Sequence, residues 1–232
     1  MQSKGLPRSI QMINFNPATF EPHFRALVAD TESDFELDEI DEALQEATPK
    51  SDDARACAYL AAEILSSADR PWSLSYALNT AVGASCMAGD TERARLYLKQ
   101  LVDLTIETGT DLAALSAAEN VRRLLPGNAK ADHVPNILYE VVRLYRHLGK
   151  FEKAIKNLII AAYLFADFGA FQPAYHALGE AQDLARDKQL VQEYTDVVSA
   201  IYSVCILEGD HAYAERMWPT LKQKYVELGK PV

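Results

Sequence analysis

Apolar residues return at helical intervals along most of this chain, and no stretch alternates as a strand would. Leu37, Ile40 and Leu44 set the rhythm early, preceded by Ser33 and Glu36 at the S-x-x-E spacing of a capping box. The spacing predicts helices over 17–29, from the capping box to Thr48-Pro49, and over 52–68, 72–88, 91–108, 111–125, 134–148, 151–168, 171–187, 189–208 and 211–228. Pro22 falls inside the first of these. Asp69-Arg70-Pro71 breaks the third from the fourth, and Asp90 and Asp111 stand where N-caps belong. The longest break is LPGNAKADHVP, 125–135, a candidate hinge. Segments such as NLIIAAYLFADF, 157–168, are apolar on more than one face, as befits a helix covered by its neighbours.

Glycine punctuates this pattern. Seven of the ten glycines, at 89, 109, 127, 149, 169, 209 and 229, fall on a ladder of about twenty residues, with one rung missing between 169 and 209. Glycine takes a left-handed conformation at no steric cost, and helices commonly end on such a residue. The ladder therefore predicts helix, turn, helix, turn. Helices of similar length joined by short turns fold antiparallel, side by side. The fold class expected is all-α, an α-solenoid of helical hairpins about forty residues long. Residues 1–16 read as a flexible tail, 17–50 as N-terminal helices with an acidic segment, and 51–228 as the helical array. Ala94, Ala154 and Ala214 each follow a ladder glycine by five residues. Their turns are three helices apart, so in a two-helix repeat they are expected to be of different kinds.

Residues 138–161 carry a family likeness. The order large, large, small, aromatic, turn, alanine, large, small is filled by Leu138, Val141, Val142, Tyr145, Gly149, Ala154, Leu158 and Ala161. Tyr175, Leu178 and Gly179 fit downstream, and Leu98, Leu101, Gly109, Ala114 and Pro126 fit upstream. The segment resembles a tetratricopeptide repeat, in a variant of about forty residues per unit. Small residues there let two backbones approach while large ones fill the opposing gap. The resemblance implies a right-handed superhelix of antiparallel hairpins, about four of them with a terminal helix, and a concave face lined by the first helix of each. In that frame the face carries Tyr59 and Glu63, Lys99 and Asp103, then Asn136, Tyr139, Arg143 and Arg146, then His176, Glu180 and Asp183. Tyr139, Arg143 and Arg146 lie at i, i+4 and i+7 on one helix face and are the leading candidates for a peptide or carboxylate contact. The clamp of chaperone-tail-binding members is not matched, since Asp103 takes the place of its asparagine.

Charge changes the picture at one place. Residues 30–53 hold eleven acids and the single base Lys50, which accounts for the formal net charge of −10 of all 232 residues. Phosphate-backbone binding is disfavoured on that balance. The expectation is a solvated acidic helix face. Asp30, Glu32, Asp34, Asp38 and Asp41 have the rhythm of a calcium loop, but Phe35 stands where the loop needs a glycine. Cys57, Cys86 and Cys205 are far apart and odd in number, which suits a reducing, cytoplasmic home and neither a disulfide framework nor a zinc site. His23, His133, His147, His176 and His211 stand alone, and no nucleophile elbow or phosphate-binding glycine loop is present. No apolar run is long enough to cross a membrane.

The function expected is therefore binding without catalysis: an adaptor or regulatory subunit with a protein or peptide partner, no cofactor and no metal, and no direct contact with nucleic acid or membrane. The alternatives are a ligand-responsive regulatory sensor and an enzyme built on an unrecognised helical cavity. Tyr213, Trp218 and Tyr225 on the last helix are candidates for a homodimer surface.

Overall fold

The computed structural model describes residues 15–31, 34–128 and 134–227. Every regular element among them is an α-helix: α1 Pro17–Asp30, α2 Phe35–Ala47, α3 Asp52–Leu65, α4 Pro71–Ala88, α5 Thr91–Thr108, α6 Leu112–Asn128, α7 Val134–His147, α8 Phe151–Asp167, α9 Phe171–Asp187, α10 Val191–Glu208 and α11 His211–Glu227. The expected all-α class is what the chain adopts. Two compact units divide near Ala129, with α1–α6 in the first and α7–α11 in the second.

The glycine ladder works through its backbone. Gly89, Gly109, Gly149, Gly169 and Gly209 all have positive φ, between 68° and 88°. The missing rung is filled by Gln189, which adopts φ 56° without being glycine. At 89, 149, 169, 189 and 209 the closing hydrogen bonds are the same. The left-handed residue donates to the carbonyl three back, and the next residue donates to the carbonyl five back from itself, as Lys150 does to Tyr145 at 2.8 Å and Leu190 to Ala185 at 2.9 Å. This is the Schellman arrangement. Gly109 instead closes α5 with a single bond to Thr105 and leads into a longer turn. The turns at 89, 149 and 209 thus share one backbone hydrogen bonding, which does not distinguish turns within a hairpin from turns between hairpins. Backbone hydrogen bonding sets the turn, so its chemistry need not alternate with helix position.

Two ladder positions lie elsewhere. α6 continues through Pro126 and Gly127 to Asn128, so Gly127 ends no helix and the break expected from 125 begins later. Gly229 lies outside the described residues, as do Ser33 of the expected capping box and residues 1–14 of the expected tail. Asn16, by contrast, caps α1, its side chain accepting from Ala18 N at 3.1 Å. Asp90 caps α5 as expected, and Ser51 and Asp210 also cap the helices that follow them.

Packing within each unit follows the apolar faces. In the first unit α4 touches α2, α3, α5 and α6. Its buried residues lie on all sides, among them Ser73, Ala77, Leu78, Val82 and Cys86. In the second unit α8 touches α7, α9 and α10, and α10 also meets α9 and α11. Helices two apart also touch: α1 with α3, α2 with α4 and α4 with α6 in the first unit, and α8 with α10 in the second. α7 is more one-sided: Ile137, Leu138, Val141, Val142, Leu144 and Tyr145 are buried, and Arg146 and His147 occupy the last turn, where cations favour the helix dipole. A Cβ added at Gly179 would meet nothing within 4 Å, so close backbone approach is not what selects glycine there.

Gln189→Gly should raise stability by about 1 kcal/mol, because a residue with a Cβ is strained in the left-handed region. Gly149→Ala should lower it by a similar amount. Paired thermal melts check both; a Gln189→Gly melt at or below that of the parent would rule out strain at this turn.

Candidate polar pocket of the first unit

The pocket grows from a charged residue in the wrong place. Leu37, Ile40, Asp41 and Leu44 follow the i, i+3, i+4, i+7 spacing, and all four are buried on α2. Asp41 therefore enters the core with its apolar neighbours and is only 6% exposed. Its Oδ2 accepts from Gln45 Nε2 at 2.7 Å. Its Oδ1 is buried and has no hydrogen-bond partner, and the same holds for Thr80 Oγ1 on α4, whose hydroxyl lies beside this carboxyl. Burial pushes the Asp41 carboxyl up from 3.8 to about 6, against the pull of Thr80 and Gln45 and with help from Asp38 and Glu42.

Gln45 and Thr80, the two neighbours of this carboxyl, also line a cavity of about 380 Å³. The end of α2 contributes Gln45, Thr48 and Pro49. α4 contributes Asn79, Thr80, Gly83 and Met87, and α6 contributes Asn120 and Arg123. The α4 residues share a face because they are spaced by one and by four. Asn120 Nδ2 donates to Asn79 Oδ1 at 3.4 Å, and Arg123 Nη2 donates to Asn120 Oδ1 at 3.2 Å. Asn79, Asn120 and Arg123 thus form one linked row of amide and guanidinium groups along the pocket wall. The pocket is thus rich in donors, with Gln45 Oε1 as an acceptor at its rim. Its volume falls in the range of small-ligand sites, roughly 300–1,000 Å³.

The residues expected to line a binding face lie elsewhere. In the first unit Tyr59 on α3 stacks on Tyr97 of α5 at 5.8 Å, with the Arg93 guanidinium 4.5 Å from its ring centre. Lys99 is exposed on α5. In the second unit Arg146 on α7 pairs with Glu180 on α9 at 2.6 Å, and Tyr139 lies half-buried near that same carboxylate. Arg143 pairs with Glu140 within α7 at 3.4 Å. Asn136 and His176 are exposed. The structure thus brings Tyr139, Arg146 and Glu180 together and binds α7 to α9 through them. Trp218 tilts against Tyr202 at 5.6 Å and Tyr225 donates to Ser199 at 2.9 Å, so both face α10, while Tyr213 stays 43% exposed.

Asp41, Gln45, Asn79 and Asn120 escaped the sequence reading. Asp41 could have been found as the one acid on the apolar stripe of α2, and Asn79 as the amide in an otherwise apolar and small-residue helix. The other acids are dispersed. Asp34 pairs with Arg70 at 3.1 Å, Asp38 accepts from Trp72 Nε1 at 3.3 Å, and no group of three metal-ligating side chains occurs among the described residues. Cys57 and Cys86 are buried, which pushes their thiols up to about 11 and about 12, values that suit packing and not nucleophilic attack. Tyr175 donates to Glu208 at 2.7 Å, and burial raises its phenol. No described helix is long and apolar enough to cross a membrane. Among known proteins, no family model and no curated sequence matches the chain.

Asp41 gives a pH signature. An acid whose pKa is raised by folding holds its proton more tightly folded than unfolded. Its stabilising contribution is present below the ordinary value of 3.8 and is lost as pH rises through about 6. The loss is on the order of 2–3 kcal/mol. Asp41→Asn should flatten this stretch of the stability profile and raise the melting temperature near neutral pH by several degrees. Parallel wild-type and variant profiles, measured by chemical denaturation across the window, would refute the assignment.

Proposed function

We propose that the chain acts by binding a peptide or protein segment, as an adaptor or regulatory subunit, with the polar pocket of the first unit as its contact point. The observation that carries this reading is the linked row of Asn79, Asn120 and Arg123 on α4 and α6, which lines a cavity of ligand size. A side-chain amide offers a donor and an acceptor on one rigid plane, which matches the peptide group. Main-chain carbonyls are the acceptors such a wall selects, and they recur along any extended segment. Pro49, Met87 and Gly83 add apolar surface for a side chain.

The face formed by Tyr139, Arg143 and Arg146 receives less support. Both arginines already pair with carboxylates, so a ligand acid would share them with Glu140 or Glu180. The tetratricopeptide frame places its groove on the first helix of each hairpin, here α3, α5, α7 and α9. The pocket instead lies on α2, α4 and α6, of which α4 touches both others. The binding face is therefore proposed one helix out of step with that frame. The regulatory-sensor reading draws on the same pocket, since a ligand held by three helices can bias their packing.

A random pool of N-acetylated, C-terminally amidated hexapeptides passed over the immobilised full chain tests the reading. Some members should be retained. Asn79→Ala with Asn120→Ala should cut their retention by roughly tenfold, the loss of two hydrogen bonds. Removing both partners leaves neither amide orphaned against the other. Retention unchanged in a double variant that still melts cooperatively would dismiss the site.

A further inference from the structure

The pocket and the buried carboxyl share one side chain. Gln45 is exposed at the pocket rim, and its Nε2 is the donor to Asp41 Oδ2. A carboxamide has a carbonyl at one end and an NH₂ at the other, so tying down the NH₂ turns Oε1 toward the opening. We propose that the proton on Asp41 regulates this pocket, by pinning Gln45 through its NH₂ when the carboxyl is ionised and releasing that NH₂ to the ligand when the carboxyl is neutral. The proposal rests on the peptide-binding reading above.

The geometry around Asp41 gives each protonation state a defined set of partners. In the ionised state Oδ2 holds Gln45 through a charge-assisted bond, about twice as strong as a neutral one. Oδ1 has no regular partner, and a buried carboxylate oxygen left so is costly. A proton on Oδ1 can be shared with Thr80 Oγ1, whose hydroxyl beside the ionised carboxyl favours that form instead. The hold on Gln45 then weakens to that of a neutral acceptor. Among the described residues no cation acts on this carboxyl. Its nearest charged neighbours are Asp38 and Glu42, both acids of α2 itself. The other helices around it present Phe24 from α1, Ala61 and Leu65 from α3, and Ser73 and Ala77 from α4. Arg123 stands across the pocket, where its partner is Asn120. Burial holds Asp41 near 6, so the exchange falls within a physiological range.

The direction follows from the wall. Asn79, Asn120 and Arg123 already offer donors and so favour a ligand's carbonyl oxygens. Freed Gln45 adds another donor. The neutral form of Asp41 therefore binds carbonyl-rich segments more tightly than the ionised form.

The test uses the amidated hexapeptide pool on the full chain, from about pH 7.5 to about pH 5. Retention by the wild type should rise roughly fivefold as pH falls, the worth of about one hydrogen bond. Asp41→Asn carries no charge at any pH and should hold the tighter level throughout. Gln45→Met, a change at an exposed position, should stay at the weaker level throughout. Opposite, flat responses from the two variants are not expected of a merely structural role. Wild-type retention that does not change with pH would overturn the proposal and leave the peptide reading standing. So would an Asp41→Asn variant that keeps the wild-type slope, since the titrating group would then be another. A pool that is not retained at any pH would overturn both.

Discussion

The left-handed residue that closes a helix is the constraint on which the rest of this structure depends. Five times the chain ends a helix by the same pair of backbone bonds, and the next helix begins within two residues. So short a turn leaves the new helix nowhere to go but back along the old one, and each amphipathic face then finds its cover in a sequence neighbour. The cost is a φ that side chains resist. Glycine meets it at four of these turns, and Gln189 meets it at the fifth. At Gly149, Gly169 and Gly209 a Cβ would find open space, so it is the backbone angle and not crowding that calls for glycine.

A second consequence concerns which helices become interior. A helix that meets both neighbours in sequence, and also both helices two away, keeps little surface for water. α4 is in that position and buries Ser73, Ser75, Asn79, Thr80 and Ser85 along with its apolar residues. Polar groups so placed must find partners or carry a cost. Ser85 and Ser75 bond to carbonyls of their own helix, at 2.8 and 2.7 Å. Asn79 and Thr80 do not, and the pocket opens beside them. Asn79 turns instead to Asn120 of α6, so the candidate site forms where polar groups of α4 look to other helices for partners.

Electrostatics divides the acidic segment in two. Most of its carboxylates lie outward or take partners such as Arg70 and Trp72. Asp41 alone is carried inward by the stripe it shares with Leu37, Ile40 and Leu44. Its neighbours then make it the group whose charge most affects the fold, through desolvation first and the repulsion of Asp38 and Glu42 after it. One carboxyl thereby joins core stability, the orientation of Gln45 and the chemistry of the pocket.

The helices and their ends were legible in the sequence because they are local: a spacing of apolar residues, a capping side chain, a left-handed residue. Even the rung without a glycine was marked by its distance from its neighbours. The candidate site was not legible, for two reasons. Asn79 and Asn120 are forty-one residues apart, and only the packing of α4 against α6 brings them within 3.4 Å. Tyr139 and Arg146 matched a pattern for binding, yet Glu180 on a different helix had already claimed the charge. Sequence by itself determined where the chain turns, since turning is settled by the φ and hydrogen bonds of a few adjacent residues. Tertiary structure decided which polar groups are left without partners, since that depends on what other helices bring against them.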